Sequence, residues 1–274
     1  MEGVFEWEGK PGWPSGYSQL KSHENLFYLM NQDKIASTLS HLNPKKVKDM
    51  DLIRVGGERD GGYLMLEPLL PKGKVAYSLG VGKTSKWEDQ IKDYGYDIHM
   101  YDHTVNGAPV QHPQLHFHKT GIGPKNQGQI KTIETIIEDN GHSNETDMLL
   151  QCDIEGAEWE SFAWTPQKTL GQFSQIILEM HWFLHYCSDP NRLNLIHKTL
   201  SNLSQNFTPY HIHSNNYVGL FGVKGKVMAE VIEVSYVRND LVEFTNEKLV
   251  FPTPLDKPNS KGNKPDVILG EFGW

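Results

Sequence analysis

Three short segments carry side chains able to do chemistry. In Leu149–Glu158 (LLQCDIEGAE) an apolar run gives way to Asp153, Glu155 and Glu158 around a glycine. Glu179 and His181 stand at alternate positions where the apolar run from Phe173 ends, and His211 and His213 alternate in a later segment. Residues two apart on an extended chain point to one face, so each pair can turn its polar groups toward a single space. Two chemistries fit such a set. An imidazole or carboxylate can take the proton of an alcohol as a general base, with His181 the favoured candidate. Alternatively, Asp153, Glu179, His181 and His213 can hold Mg²⁺ or Mn²⁺, which acidifies and orients a hydroxyl. Asp153, His181 and Glu179 are thus the candidate catalytic residues. A third reading is architectural. The chain has 13 histidines, an HxH pair also arises as the polar alternation of a half-buried strand, and acids after a strand can open a helix where they suit its dipole. The residues alone leave all three open.

A second pattern concerns what binds beside this chemistry. The run Lys74–Leu79 ends in Gly80-Val81-Gly82, and the next apolar run ends in Asp102, about 20 residues on, the spacing of an acid that accepts hydrogen bonds from ribose hydroxyls. Glycines let backbone approach a nucleoside, but Ser85 stands where a dinucleotide motif has its third glycine. A ligand without a pyrophosphate has less need of that close helix N-terminus. A nicotinamide-dependent oxidoreductase therefore stays as the alternative to a phosphate-free nucleoside cofactor, and a tight turn with no ligand is a third possibility.

The elements that must position these groups follow from periodicity. Strand-like runs fall at Leu52–Val55, Lys74–Leu79, Asp97–Tyr101, Leu115–His118, Asp147–Asp153, Phe173–Met180, Tyr210–His213 and Glu230–Val237. Helical spacing marks Ser85–Tyr94, Lys131–Asp139 and Asn191–Leu203, with one or two helices within Tyr17–Leu42. Strands alternating with helices predict an α/β fold with a parallel or mostly parallel sheet covered on both faces. Ligands of such sheets sit beyond the C-terminal strand ends, where the acids stand. Trp7, Trp13, Phe27 and Tyr28 read as cover for one end of the core or as a lid, and the tail Pro252–Pro265 reads as extended on the surface.

The bulk properties narrow the partners. The formal net charge is −8 with no basic stripe to neutralise a phosphate backbone, which argues against nucleic acid. Cys152 and Cys187 have no zinc spacing and cannot form a disulfide framework. Two reduced thiols, an acidic N-terminal segment broken by Pro and Gly, and no run of about 18 apolar residues predict a cytoplasmic chain without a membrane span. A removed N-terminal anchor or signal would leave no trace.

Read together, the motifs resemble those of FkbM-type class I S-adenosylmethionine (SAM)-dependent methyltransferases, in an animal-type branch. Asp153–Trp159 (DIEGAEW) is similar to that group's motif after the fourth strand. Arg54-Val55-Gly56 with Asp60-Gly61-Gly62-Tyr63 resembles its RxG…DGGY element, Tyr77–Gly82 its YSxGxG loop, Tyr101–Thr104 its second-strand end, and His211–Tyr217 its HxHxNNY segment. These matches are collinear over residues 54–237, with Pro265-Asp266 beyond; Lys83 departs from the small or acidic residue expected there. The resemblance implies a Rossmann-like, seven-stranded, mostly parallel sheet with helices on both faces, formed by residues 51–274 after an N-terminal helical or irregular extension of residues 1–50. It implies that SAM passes over Gly80, Val81 and Gly82, with Ser85 beside them. Asp102 and His103 would hold the ribose and Ile122 the adenine, while Arg54, Asp60, Gly62, Tyr63 and Asp153 close the methionine side. The activity implied is O-methylation of a hydroxyl on a sugar, glycan or other small molecule. A non-catalytic module that kept the fold is the remaining alternative.

Overall fold

The computed structural model describes residues 22–260 and 264–274. Trp7, Trp13 and the start of the helical stretch expected from Tyr17 lie outside them. Seven strands form the central sheet: β1 (Val75–Leu79), β2 (Asp97–Tyr101), β3 (Leu115–His118), β4 (Met148–Cys152), β5 (Phe173–His181), β6 (Phe207–Ser214) and β7 (Val231–Arg238). Their spatial order is β3-β2-β1-β4-β5-β7-β6. The pairs β1–β2, β2–β3, β1–β4 and β4–β5 are parallel, while β7 runs antiparallel to both β5 and β6. The order reverses between β1 and β4, and a doubly wound sheet opens its ligand crevice at such a switch point.

Alternation along the strands divides the core in two. Tyr77, Leu79, Leu150, Cys152, Ile176, Leu178 and Met180 face one side. There they meet α2 (Gln32–Leu39), α5 (Glu158–Trp164) and α6 (Pro190–Leu203) through Ile35, Leu39, Trp159, Phe162, Leu193, Ile196 and Leu200. Ala76, Ile98, Met100, Leu149 and Ile177 face the other side. That side is covered by α3 (Lys86–Asp93), through Trp87 and Ile91, and by the hairpin Leu52–Gly56/Gly62–Leu66, through Val55, Tyr63 and Met65. Caps set the helix starts: the Asp189 carboxylate accepts from the backbone N–H groups of Asn191 and Arg192, both at 2.9 Å, with Pro190 opening α6. In α4 (Ile133–Asp139) Thr132 does the same for Thr135. Tyr28, on α1 (Ser22–Met30), packs edge-on against Phe221, so this aromatic covers the core. No helix among the described residues is long and apolar enough to cross a membrane.

Two features differ from the sequence reading. Gly62–Leu66 is a buried strand returning against Leu52–Gly56, where only the bracketing glycines were conspicuous. The tail Pro252–Pro265 is only partly superficial among its described residues: Asp256, Asn259 and Ser260 are buried against β6, β7 and the residues after them. The physical reason is polar satisfaction. His211, His213 and Glu233 are buried on the sheet, and buried polar groups require partners, which this hydrophilic segment supplies.

Candidate active site

The glycine turn comes first. Gly80 has φ +85°, and a Cβ on it would fall 1.6 Å from the Asp153 carbonyl oxygen. The tips of β1 and β4 therefore touch backbone to backbone, with Asp153 N–H donating to the Leu79 carbonyl at 2.8 Å. Gly82 has φ +61° and nothing within 4 Å of where its Cβ would be. Its N–H donates to Asp102 Oδ2 at 3.1 Å, while Asp102 Oδ1 accepts from the Thr104 amide and hydroxyl, both at 2.7 Å. Burial works to raise the Asp102 pKa, but these hydrogen bonds outweigh it and hold the carboxyl below its ordinary value. Val81, Ser85 and Ile122 are buried, and the His103 ring packs where a Gly121 side chain would stand. All of these lie at the C-terminal ends of β1 and β2 or directly after β3, where the sequence put a nucleoside.

The second part is the tip of β4 and β5. Asp153, Glu155 and His181 bring one ligand atom each within 4.8 Å of one another. His181 Nε2 lies 3.7 Å from both Asp153 Oδ1 and Glu155 Oε2, and Asp153 Oδ1 is buried without a hydrogen-bond partner. The orientation of His181 comes from Glu158, which is fully buried. Glu158 Oε1 accepts from the Ile154 amide at 3.2 Å and Oε2 from the Gly156 amide at 2.6 Å. A carboxylate held as an acceptor takes the Nδ1 proton of His181 at 2.8 Å, leaving Nε2 toward Asp153 and Glu155. Burial opposes charge on His181, yet Glu158, then Asp153 and Glu179, raise its pKa well above normal. Burial, partly offset by His181, lifts Asp153 to about 7. Two non-glycine residues here adopt left-handed backbone, Glu155 (φ 57°) and Trp182 (φ 66°), a conformation costing about 1–2 kcal/mol per residue. The Trp182 indole lies against Gly156 and donates to the Glu155 carbonyl at 3.4 Å.

Glu179 lies elsewhere. It pairs across the sheet with Glu233 of β7, and together with Asp60 these two form a separate carboxylate group within 4.8 Å. Burial and then Asp153 push the Glu179 pKa well above its ordinary value. Asp60 is presented by the hairpin turn, which Arg54 braces by donating to the carbonyls of Gly57 (2.9 Å) and Arg59 (2.8 Å). Gly62 is required there, since a Cβ would fall 1.9 Å from the Gly57 carbonyl oxygen. The Tyr63 hydroxyl accepts from Gln151 at 3.3 Å beside the same carboxylates.

His213 does not join the proposed metal ligands. Its Nδ1 meets Glu233 Oε2 and its Nε2 meets Asp266, all at 3.0 Å, so both ring nitrogens are already engaged. Burial alone would lower its pKa, but Glu233 and Asp266 carry it up to about 10. His211 Nε2 is likewise committed to Asp256 at 3.1 Å. The HxHxNNY segment is thus a clasp for the tail: Asn216 accepts from the Ser260 amide and donates to the carbonyls of Lys264 and Pro265. Glu158 as the anchor of His181, and Glu233 as the partner of Glu179, were missed from sequence. A lone acid inside the apolar run Val231–Val237 was the available signal for Glu233, since acids are seldom fully buried unless paired.

A doubly wound sheet with an open glycine turn after β1, an ionised acid after β2 and an acid–imidazole cluster at the β4–β5 tip defines an α/β fold built for a nucleoside cofactor. A family model described as a methyltransferase domain matches residues 20–238, and the chain belongs to that family. The methyl donor implied by the domain is SAM. A comparison with curated proteins finds no match.

Proposed function

We propose that the chain is an O-methyltransferase of the FkbM type, transferring the methyl group of SAM to a hydroxyl of a sugar, glycan or other small molecule with help from a divalent cation. The observation that carries this reading is the convergence of Asp153, Glu155 and His181, with a buried and unpartnered Asp153 oxygen, directly against the glycine turn. The residues suit the cofactor. Open space over Gly82 leaves room for it, and Asp102, kept ionised by its hydrogen bonds, can accept from ribose hydroxyls. Ile122 and His103 would border the base.

Alcohols are weak nucleophiles until their proton is removed. A cation of the Mg²⁺ or Mn²⁺ class held by Asp153, Glu155 and His181 would supply acidification and orientation of that hydroxyl. The protein's own part is positional: Glu158 fixes the His181 ring, and the Glu155 carboxylate stands 3.7 Å from its Nε2. The hydroxyl proton leaves to water, the acceptor oxygen bonds to the methyl carbon, and the carbon–sulfur bond breaks with its electron pair going to sulfur.

The test is transfer of labelled methyl from SAM to a panel of saccharides and small alcohols, run before and after chelation. Transfer to a hydroxyl, lost with EDTA and restored by Mg²⁺ or Mn²⁺, is expected. Full activity after chelation overturns the cation, and transfer to amines or thiols in place of hydroxyls overturns O-methylation.

A further inference from the structure

We propose that Asp60, Glu179 and Glu233 form a second cation site with all-oxygen chemistry, fitted to Ca²⁺ and separate from the Asp153–Glu155–His181 cluster. The case starts from register. Glu179 and Glu233 are direct cross-strand partners on β5 and β7, and both are buried. Like charges directly opposite each other destabilise a sheet, and burial removes the water that would screen them. Asp60 then enters from the hairpin roof, so that three carboxylates each place an oxygen within 4.8 Å of the others.

Neighbouring groups organise this chamber without neutralising it. Asn215 donates to Glu179 Oε1 at 3.2 Å, and Asn259, from the tail, donates to Glu233 Oε1 at 2.6 Å. Two imidazoles bear on it: His213, on the far side of Glu233 and shared with Asp266, and His181, which faces Asp60 and Glu179 but is held by Glu158. Two oxygens remain buried with no partner, Glu179 Oε2 and Asn259 Oδ1, on residues 4 % and 5 % exposed. An unpaired buried acceptor is costly, more so when charged, and a cation between the three carboxylates would satisfy Glu179 Oε2.

The donor set indicates which cation. All of the candidate ligands are oxygens, from carboxylates and an amide, which suits hard cations. They come from four separate segments: the hairpin turn, β5, β7 and the tail. Ca²⁺ accepts six to eight oxygens in flexible geometry, whereas Mg²⁺ prefers one or two carboxylates and keeps its waters. The imidazole of the first cluster suits transition metals better, so the two sites should differ in selectivity.

Binding can be read without methyl transfer. Tb³⁺ substitutes for Ca²⁺ and is excited through a nearby phenol, and Tyr63 lies among Glu179, Asp153, Glu233 and Asp60. Titration of the full chain with Tb³⁺, followed by displacement with Ca²⁺, is expected to show sensitised luminescence that Ca²⁺ removes. Asp60→Asn, at an exposed position, should weaken Ca²⁺ at least tenfold, as should Glu233→Gln. Glu155→Gln, in the other cluster and on a largely exposed side chain, should weaken Ca²⁺ far less than either. Absence of a Ca²⁺-displaceable signal overturns the proposal. So does unchanged Ca²⁺ affinity in a folded Asp60→Asn, or an equal loss in Glu155→Gln.

Discussion

Glu88→Gln tests the polar chain beneath the cofactor turn. Glu88 reaches from α3 into the core, where Ser78 Oγ lies 2.5 Å from its Oε1 and 3.1 Å from Gln151 Oε1, and Gln151 donates onward to Tyr63. All four are buried, which ties α3, β1, β4 and the hairpin together two residues before Gly80. With Glu88 protonated, the hydrogens run in one direction: carboxyl to Ser78, Ser78 to Gln151, Gln151 to Tyr63. Burial is what lifts the Glu88 pKa from 4.5 to about 7, against a lowering by Ser78. Because the folded pKa is above the unfolded one, the native state binds more protons between these values, and stability falls as pH rises through about 7. The size is about 3 kcal/mol, for a pKa raised from 4.5 to about 7 at roughly 1.4 kcal/mol per tenfold change in proton affinity. A glutamine amide can donate to Ser78 as the protonated acid does, without the ionisation. Urea unfolding at pH 4.5 and pH 8.5 should show the variant equal to the parent at low pH and more stable by about 3 kcal/mol at high pH. A difference that does not change with pH, or that favours the parent at pH 8.5, refutes the account.

Gly80→Ala and Gly82→Ala should separate packing from binding. The first drives a Cβ into the Asp153 carbonyl oxygen and should lower stability beyond about 4 kcal/mol. The second meets open space, so it should cost only about 1–2 kcal/mol of backbone strain while reducing SAM affinity in calorimetry, as Asp102→Ala should. Glu158→Gln removes the charge that most raises the His181 pKa; NMR titration should show that pKa falling, and denaturation a loss of about 3–5 kcal/mol. His213 has its pKa raised, so its contribution is fully present below pH 6.5 and is lost as pH rises through about 10. The stability gap between parent and His213→Gln should therefore be wide at pH 7 and narrow at pH 10.5, and an unchanged gap would argue against the clasp.

What could be read in the sequence was local. The apolar runs Asp97–Tyr101 and Leu115–His118 are strands over those same residues, and the spacing of Trp87 and Ile91 gave α3 its buried stripe. Asp153 and His181 were expected at the β4 and β5 tips and stand there, while Glu179 is set apart from them. Which of them meet was not legible. Glu179 opposes Glu233 because of the β5–β7 register, a long-range pairing that periodicity along one strand does not encode. The tail was misplaced for a related reason: its polarity suggested solvent, while the buried imidazoles and carboxylates of β6 and β7 made those polar groups necessary inside.

That register also explains why the two clusters would behave as one electrostatic unit. Across β5, β7 and β6 the sequence of partners is Glu179, Glu233, His213, with Asp153 immediately past the β4 tip and Asp60 set above the row. Against these four carboxylates stand two imidazoles, His181 and His213, and both are shared further, His181 with Glu155 and Glu158 and His213 with Asp266. Such a row can reach balance only by taking up protons or by taking up cations. Protonation is the course followed when nothing binds, and it appears as the upward shift of Asp153 and Glu179. Ions bound at either cluster would reverse the shift, so binding at one should release protons and weaken binding at the other. With Ca²⁺ saturating the parent, metal affinity at the Asp153 cluster should therefore increase in Glu233→Gln, which no longer holds that ion, whereas with no Ca²⁺ present the lost carboxylate should lower it; two electrostatically independent sites would show neither.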